Sequence, residues 1–102
     1  MASAEIEKNG STLTVQPGGR MDTLRSPQLE QELQPYLADA TQIVMDFTEV
    51  EYISSAGLRL LLWLEQQMET RGGEVQVIHA NESVLKIFSL AGFMDVVHVI
   101  RD

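Results

Sequence analysis

Cysteine is absent from this 102-residue chain. A disulfide framework, a zinc–thiolate site and a cysteine nucleophile are therefore excluded, and the chain suits a reducing, cytoplasmic setting. Basic residues are scarce. Seven Lys and Arg stand against 15 Asp and Glu, a formal net charge of −8. Such a balance argues against nucleic acid and anionic membranes, which repel negative surfaces, and suits a basic partner. No apolar run approaches the ~20 residues of a membrane span. The start, Met1-Ala2-Ser3-Ala4-Glu5, lacks the basic and apolar stretches of a signal peptide. Linkers, low-complexity tracts and internal repeats are missing too, so one domain over residues 1–102 is expected.

The same scarcity bears on catalysis. His79 and His98 lie nineteen positions apart, and neither joins Asp22 or Asp46 at metal-ligand spacing. No nucleophile–base pair can be placed. The expectation is a protein with no catalytic residues, no metal and no cofactor. Gly72-Gly73 reads as a helix stop, since it lacks the lysine and the following helix start of a phosphate loop.

What is present is an alternation of strand and helix signals. Leu13 and Val15 alternate with polar neighbours before Gln16-Pro17-Gly18-Gly19, a strand running into a turn. A weaker strand around Ile6 joins it through Asn9-Gly10 as a hairpin turn. Ser26 is the expected N-cap of a first helix, with Pro27 at its first position and Leu29, Leu33, Tyr36 and Leu37 on one face. Pro35 predicts a kink or a tightened last turn. Ile43 to Phe47 reads as a central strand covered on both faces. A helix from about Ala56 to Thr70, a strand from Glu74 to His79, a helix capped by Asn81 and ended by Gly92, and a strand from Val96 to Ile100 follow. This order predicts an α/β fold with a mainly parallel sheet.

The second helix carries two stripes. Advancing ~100° per residue, Gly57, Leu60, Leu61, Leu64 and Met68 form the stripe that faces the sheet. Ser55, Leu58, Arg59, Leu62 and Gln66 form another on the far side, which leaves Leu58 and Leu62 surplus to the core. Either they form a docking surface beside a serine, or another helix of the domain covers them.

Asp46-Phe47-Thr48-Glu49-Val50-Glu51-Tyr52-Ile53-Ser54-Ser55-Ala56-Gly57-Leu58 resembles the signature of anti-sigma factor antagonists of the STAS superfamily. Gly19-Arg20-Met21-Asp22, Gly72-Gly73-Glu74 and Leu90-Ala91-Gly92-Phe93 are similar to further landmarks of that family, so the likeness spans almost the whole chain. The resemblance implies a STAS-like single domain, with a mixed, mostly parallel sheet of about four or five strands and three or four helices. It implies a bacterial regulator that binds an anti-sigma factor with serine kinase activity when unphosphorylated. Phosphorylation of one motif serine releases that partner, and a serine phosphatase restores binding. Aligned on Gly57-Leu58, the acceptor falls on Ser55, with Ser54 as second choice. The implied partner surface comprises Asp22, Ser54, Ser55, Ala56, Gly57, Leu58, Arg59 and Leu62. Where the regulatory family usually has Asp before the acceptor, this chain has Ser54. The alternative is an accessory subunit of a membrane lipid or anion transport system that binds through the same surface without this switch.

Overall fold

The structure is a computed structural model and describes residues 4–101. Seven strands and three α-helices are found among them: β1 (Glu5–Asn9), β2 (Thr12–Gln16), β3 (Gly19–Met21), α1 (Arg25–Leu37), β4 (Gln42–Asp46), β5 (Val50–Ile53), α2 (Ser55–Glu69), β6 (Glu74–Ile78), α3 (Glu82–Ala91) and β7 (His98–Val99). A five-stranded sheet runs in the order β1-β2-β4-β6-β7, and β3 pairs with β5 in a second, two-stranded sheet. β1 is antiparallel to β2, while the β2–β4, β4–β6 and β6–β7 pairings are parallel. The expected mixed, mostly parallel sheet is therefore present.

The core lies on one face of that sheet. Leu13, Val15, Ile43, Met45, Val75 and Val77 are fully buried there. They meet Leu29, Leu33 and Leu37 from α1, Leu60, Leu61, Leu64 and Met68 from α2, and Val84 and Phe88 from α3 in a single cluster. On the opposite face Thr14, Val44 and Gln76 are only half-buried, and Val44 and Ile78 stand outside the cluster. The expectation that β4 is covered on both faces is thus corrected. Its apolar run continues through Val44, but polar residues on β2 and β6 flank that position, and the helical core lies on the other side.

Local chemistry explains the remaining differences. The hairpin register pairs Asn9 with Thr12, so the turn is Gly10-Ser11, one residue later than expected. Gly10 has φ +65°, a left-handed conformation that glycine adopts without steric cost. α1 begins at Arg25, before Ser26, and the Ser26 hydroxyl caps nothing. Asp22 does that work: its Oδ1 accepts from the N–H groups of Leu24 (3.2 Å) and Arg25 (2.8 Å). An aspartate just before a helix meets the same orphan donors, and adds a charge that the helix N-terminus favours. The helix runs through Pro35 to Leu37. His79 falls just beyond β6 with φ +61°. The last strand shrinks to His98–Val99, because a short 3-10 helix, Phe93–Asp95, follows the left-handed Gly92 cap.

Candidate functional site

The β3–β5 pair builds the site. Met21 lies opposite Ile53, so Asp22 and Ser54 leave this small parallel sheet side by side. The Met21 carbonyl accepts from the Ser54 N–H (2.9 Å) and from the Ser54 hydroxyl (3.0 Å). Ser54 is also the N-cap of α2: its Oγ accepts from the Gly57 N–H at 3.4 Å, and its carbonyl accepts from Leu58 at 2.9 Å. Its side chain is thus committed to holding the helix start against β3.

Ser55 differs from its neighbour in every respect that matters chemically. It is the first residue of α2, it is exposed, and its hydroxyl has no hydrogen-bond partner among the described residues. It lies in the first turn, at the positive end of the helix dipole, which favours negative charge.

Gly57 is the reason α2 approaches so closely. A Cβ at this position would lie 2.6 Å from Ile53 Cγ1 and 2.8 Å from the Met21 carbonyl oxygen. Both are shorter than van der Waals contact, and one is backbone held by two hydrogen bonds.

Beyond Gly57 the two stripes of α2 separate largely as expected. Gly57, Leu60, Leu61, Leu64 and Met68 are buried. Ser55, Arg59, Leu62 and Gln66 are exposed, Leu62 at 39%. Leu58 departs from that stripe: it is half-buried and packs on the core, so it is not surplus. Leu62 remains the exposed leucine of the helix. Tyr52, under the Arg20 guanidinium at 4.5 Å from its ring centre, and Leu24, 75% exposed at the start of α1, add apolar surface on the β3–β5 side.

Of the sequence-predicted residues, Ser54, Ser55, Ala56, Gly57, Leu58, Arg59 and Leu62 all sit on the first two turns of α2 or its cap. Asp22 joins them through β3. Its side chain caps α1, so its contribution is to fix the loop beside Ser54. Sequence reasoning missed β3 and β5. Val50 and Ile53 are buried with Glu51 and Tyr52 exposed between them, so the strand shows no alternation to read.

Three carboxylates elsewhere in the fold have structural work. Asp46 is pulled up by burial, but hydrogen bonds from the Thr48 hydroxyl and N–H and from Gln16 outweigh this, with the charge of His79 helping, and hold it below the usual range. Burial pushes Glu65 up, and the charges of Glu69 and Glu74 add to this, against the Val75 N–H donated to it at 2.8 Å. A hydrogen bond to His98 lowers Glu74, with Gln76 adding. Among the described residues no group of His, Asp and Glu is arranged to hold a metal ion, and no helix is long and apolar enough to cross a membrane.

The chain is 28% identical over 86 residues to an anti-sigma-B factor antagonist of Staphylococcus aureus, covering 83% of this chain and 80% of the relative. It is 20% identical over 97 residues to the anti-sigma-B factor antagonist of Bacillus subtilis, covering 95% and 89%. In fold it superposes on the anti-sigma factor antagonist SpoIIAA in its unphosphorylated form, with a TM-score of 0.84 at 17% identity over 98% of this chain and 90% of that one. The Bacillus cell fate determinant SpoIIAA in the phosphorylated form gives a TM-score of 0.75 at 16% identity, over 98% and 93%. The fold also recurs within the murine anion transporter Slc26a9, with a TM-score of 0.73 at 15% identity over 91% of this chain and 16% of that one. The family described as "Mlab, STAS domain" matches residues 4–100, and the chain belongs to this STAS family.

Proposed function

We propose that the chain is an anti-sigma factor antagonist that acts by partner switching, and that Ser55 is its switch. The observation that carries this reading is the contrast between the two serines. Ser54 is tied to Met21 and Gly57, whereas Ser55 is exposed and unpartnered at the start of α2. The relatives named anti-sigma-B factor antagonist support the class of function.

In this reading a partner with serine kinase activity docks over Ser55, Leu62 and the rim of Leu58. It transfers the terminal phosphoryl group of ATP to Ser55 Oγ, which loses its proton as ADP leaves. The new group adds about −1.5 to −2 charges at pH 7. The helix N-terminus stabilises it, and Arg59, one turn on, is placed to pair with it. The fold need not change. A docked partner now has to desolvate that charge beside Leu58 and Leu62, a cost of several kcal/mol for a buried ion, and it dissociates. A serine phosphatase reverses the step. Phosphate on Ser54 would break the Ser54 cap, so that residue is the scaffold of the switch. The chain's own side chains bind and orient, and catalysis of the transfer belongs to the partner.

A second reading is an accessory subunit of a transport assembly, favoured by the recurrence of the fold within the Slc26a9 anion transporter. Incubation with the kinase partner and ATP, followed by mass-spectrometric mapping, separates the two. Phosphate on Ser55 supports partner switching. Unmodified serines with binding intact support the transport reading.

A further inference from the structure

Beside Ser55, α1 and α2 together line a cleft of about 280 Å³. Pro27 and Glu30 line it from α1, and Ala56, Arg59, Leu60 and Trp63 line it from α2. Ser26 lines it as well, and this residue is anomalous. It is 3% exposed, and its hydroxyl has no hydrogen-bond partner among the described residues. Buried hydroxyls are almost always satisfied, so an orphan one at a cleft asks for a missing partner. The charges bordering the cleft are also uncommitted. The side chains of Arg59 and Glu30 have no ion pair or hydrogen bond among the described residues, and they do not pair with each other.

We propose that this cleft receives a short segment of the partner that docks over Ser55, consisting of an acidic residue next to an apolar one. The proposal rests on the partner-switching reading for its biological setting. The partner's carboxylate pairs with Arg59. Its backbone N–H groups donate to the Glu30 carboxylate, and the Ser26 hydroxyl turns to the segment and gains the partner it lacks. The apolar side chain packs on Leu60, Pro27 and the face of Trp63. A peptide matches this lining because it carries donors, acceptors and an apolar side chain within a few ångströms, whereas a simple anion leaves Glu30 and the apolar wall unmet. Continuity with the switch is direct, since Ala56 follows Ser55 and lines the cleft. Phosphorylated Ser55 would then close the cleft in two ways. It takes Arg59, four residues on along the helix, and it repels the incoming carboxylate.

The test uses the isolated protein and defined probes, with amide and indole NMR signals as readout. Acetyl-Asp-Leu methylamide should shift Ala56, Arg59 and the indole N–H of Trp63, the chain's single tryptophan. Acetyl-Asn-Leu methylamide should bind about threefold to tenfold more weakly, and Arg59→Gln should remove a similar factor, as expected for a partly exposed charge-assisted contact. Sodium acetate at equal concentration should leave these signals in place. Ser26→Ala should weaken the probe while leaving the melting temperature unchanged or raised, because the hydroxyl it removes has no partner to lose. Equal binding of the Asp and Asn probes, shifts caused by acetate alone, or no shift at the cleft would each overturn the proposal. So would a melting temperature lowered by Ser26→Ala. The titration needs neither kinase nor phosphate. Probe binding, combined with no phosphate on Ser55 after incubation with the kinase partner and ATP, would therefore sink the switch and spare the cleft, and switching without probe binding would do the reverse.

Discussion

Replacing Ser54 and Ser55 one at a time by alanine should give two different proteins. The Ser54 hydroxyl accepts from the Gly57 N–H at 3.4 Å and donates to the Met21 carbonyl at 3.0 Å. Loss of an N-cap side chain costs about 1 kcal/mol, within a range of ~0.5–2. Loss of the second bond costs less than the usual ~1 kcal/mol, because the Met21 carbonyl keeps the Ser54 N–H at 2.9 Å and is not orphaned. Ser54→Ala should therefore destabilise by about 1–2 kcal/mol. At ~4–8 °C per kcal/mol that is a fall of roughly 4–16 °C in melting temperature. Ser55→Ala removes an exposed, unpartnered hydroxyl, and should stay within about ±0.5 kcal/mol. Calorimetry or circular dichroism on the two variants, beside the parent, reads the difference. Equal melting temperatures for the two variants, or a larger loss for Ser55→Ala, would refute the division of labour between cap and switch.

Three further outcomes follow from the same geometry. Gly57→Ala gains about 1 kcal/mol of helix propensity but drives a Cβ against the Met21 carbonyl and Ile53, an overpacking cost of roughly 1–3 kcal/mol that a doubly bonded carbonyl cannot relieve, so chemical denaturation should show a net loss. Leu61→Ala, at a fully buried position, should cost ~2–5 kcal/mol, whereas Leu62→Ala, 39% exposed, should cost under about 1 kcal/mol while weakening partner capture. Asp46 has a folded pKa below its unfolded value, so its contribution to stability is present above the unfolded value and is lost as pH falls through the folded one. Asp46→Asn should flatten that part of an acid denaturation curve, and an unchanged curve would show that the Thr48 and Gln16 hydrogen bonds do not favour the charged form.

The helices were the legible part of this chain. Leu60, Leu61, Leu64 and Met68 repeat with helical spacing, and all four are buried. Asn81 and Gly92 mark the ends of α3 through their own chemistry, an amide accepting from the Val84 N–H and a left-handed cap. The site was legible as a serine at a helix start. The two-stranded sheet that positions it was not, because three residues of β3 and four of β5 carry no period. The cap of α1 was misplaced for a related reason. Ser26 and Asp22 are both good capping residues by type, and the choice is made by the β3–β5 pairing, which fixes where the chain leaves the sheet. The open sheet face was hidden as well: Val44 extends an apolar run whose neighbours across the sheet, Thr14 and Gln76, are polar, and that juxtaposition exists only after pairing.

The central claim is that charge on Ser55 governs the partner. Isothermal titration of the proposed partner, an anti-sigma factor with serine kinase activity, into the unmodified chain, the enzymatically phosphorylated chain and Ser55→Ala tests it most directly. Unmodified chain and Ser55→Ala should bind alike, and phosphorylation should weaken binding by at least about a hundredfold, the equivalent of ~2.7 kcal/mol. Equal affinity of the phosphorylated and unmodified chains, with phosphate confirmed on Ser55, would contradict the account.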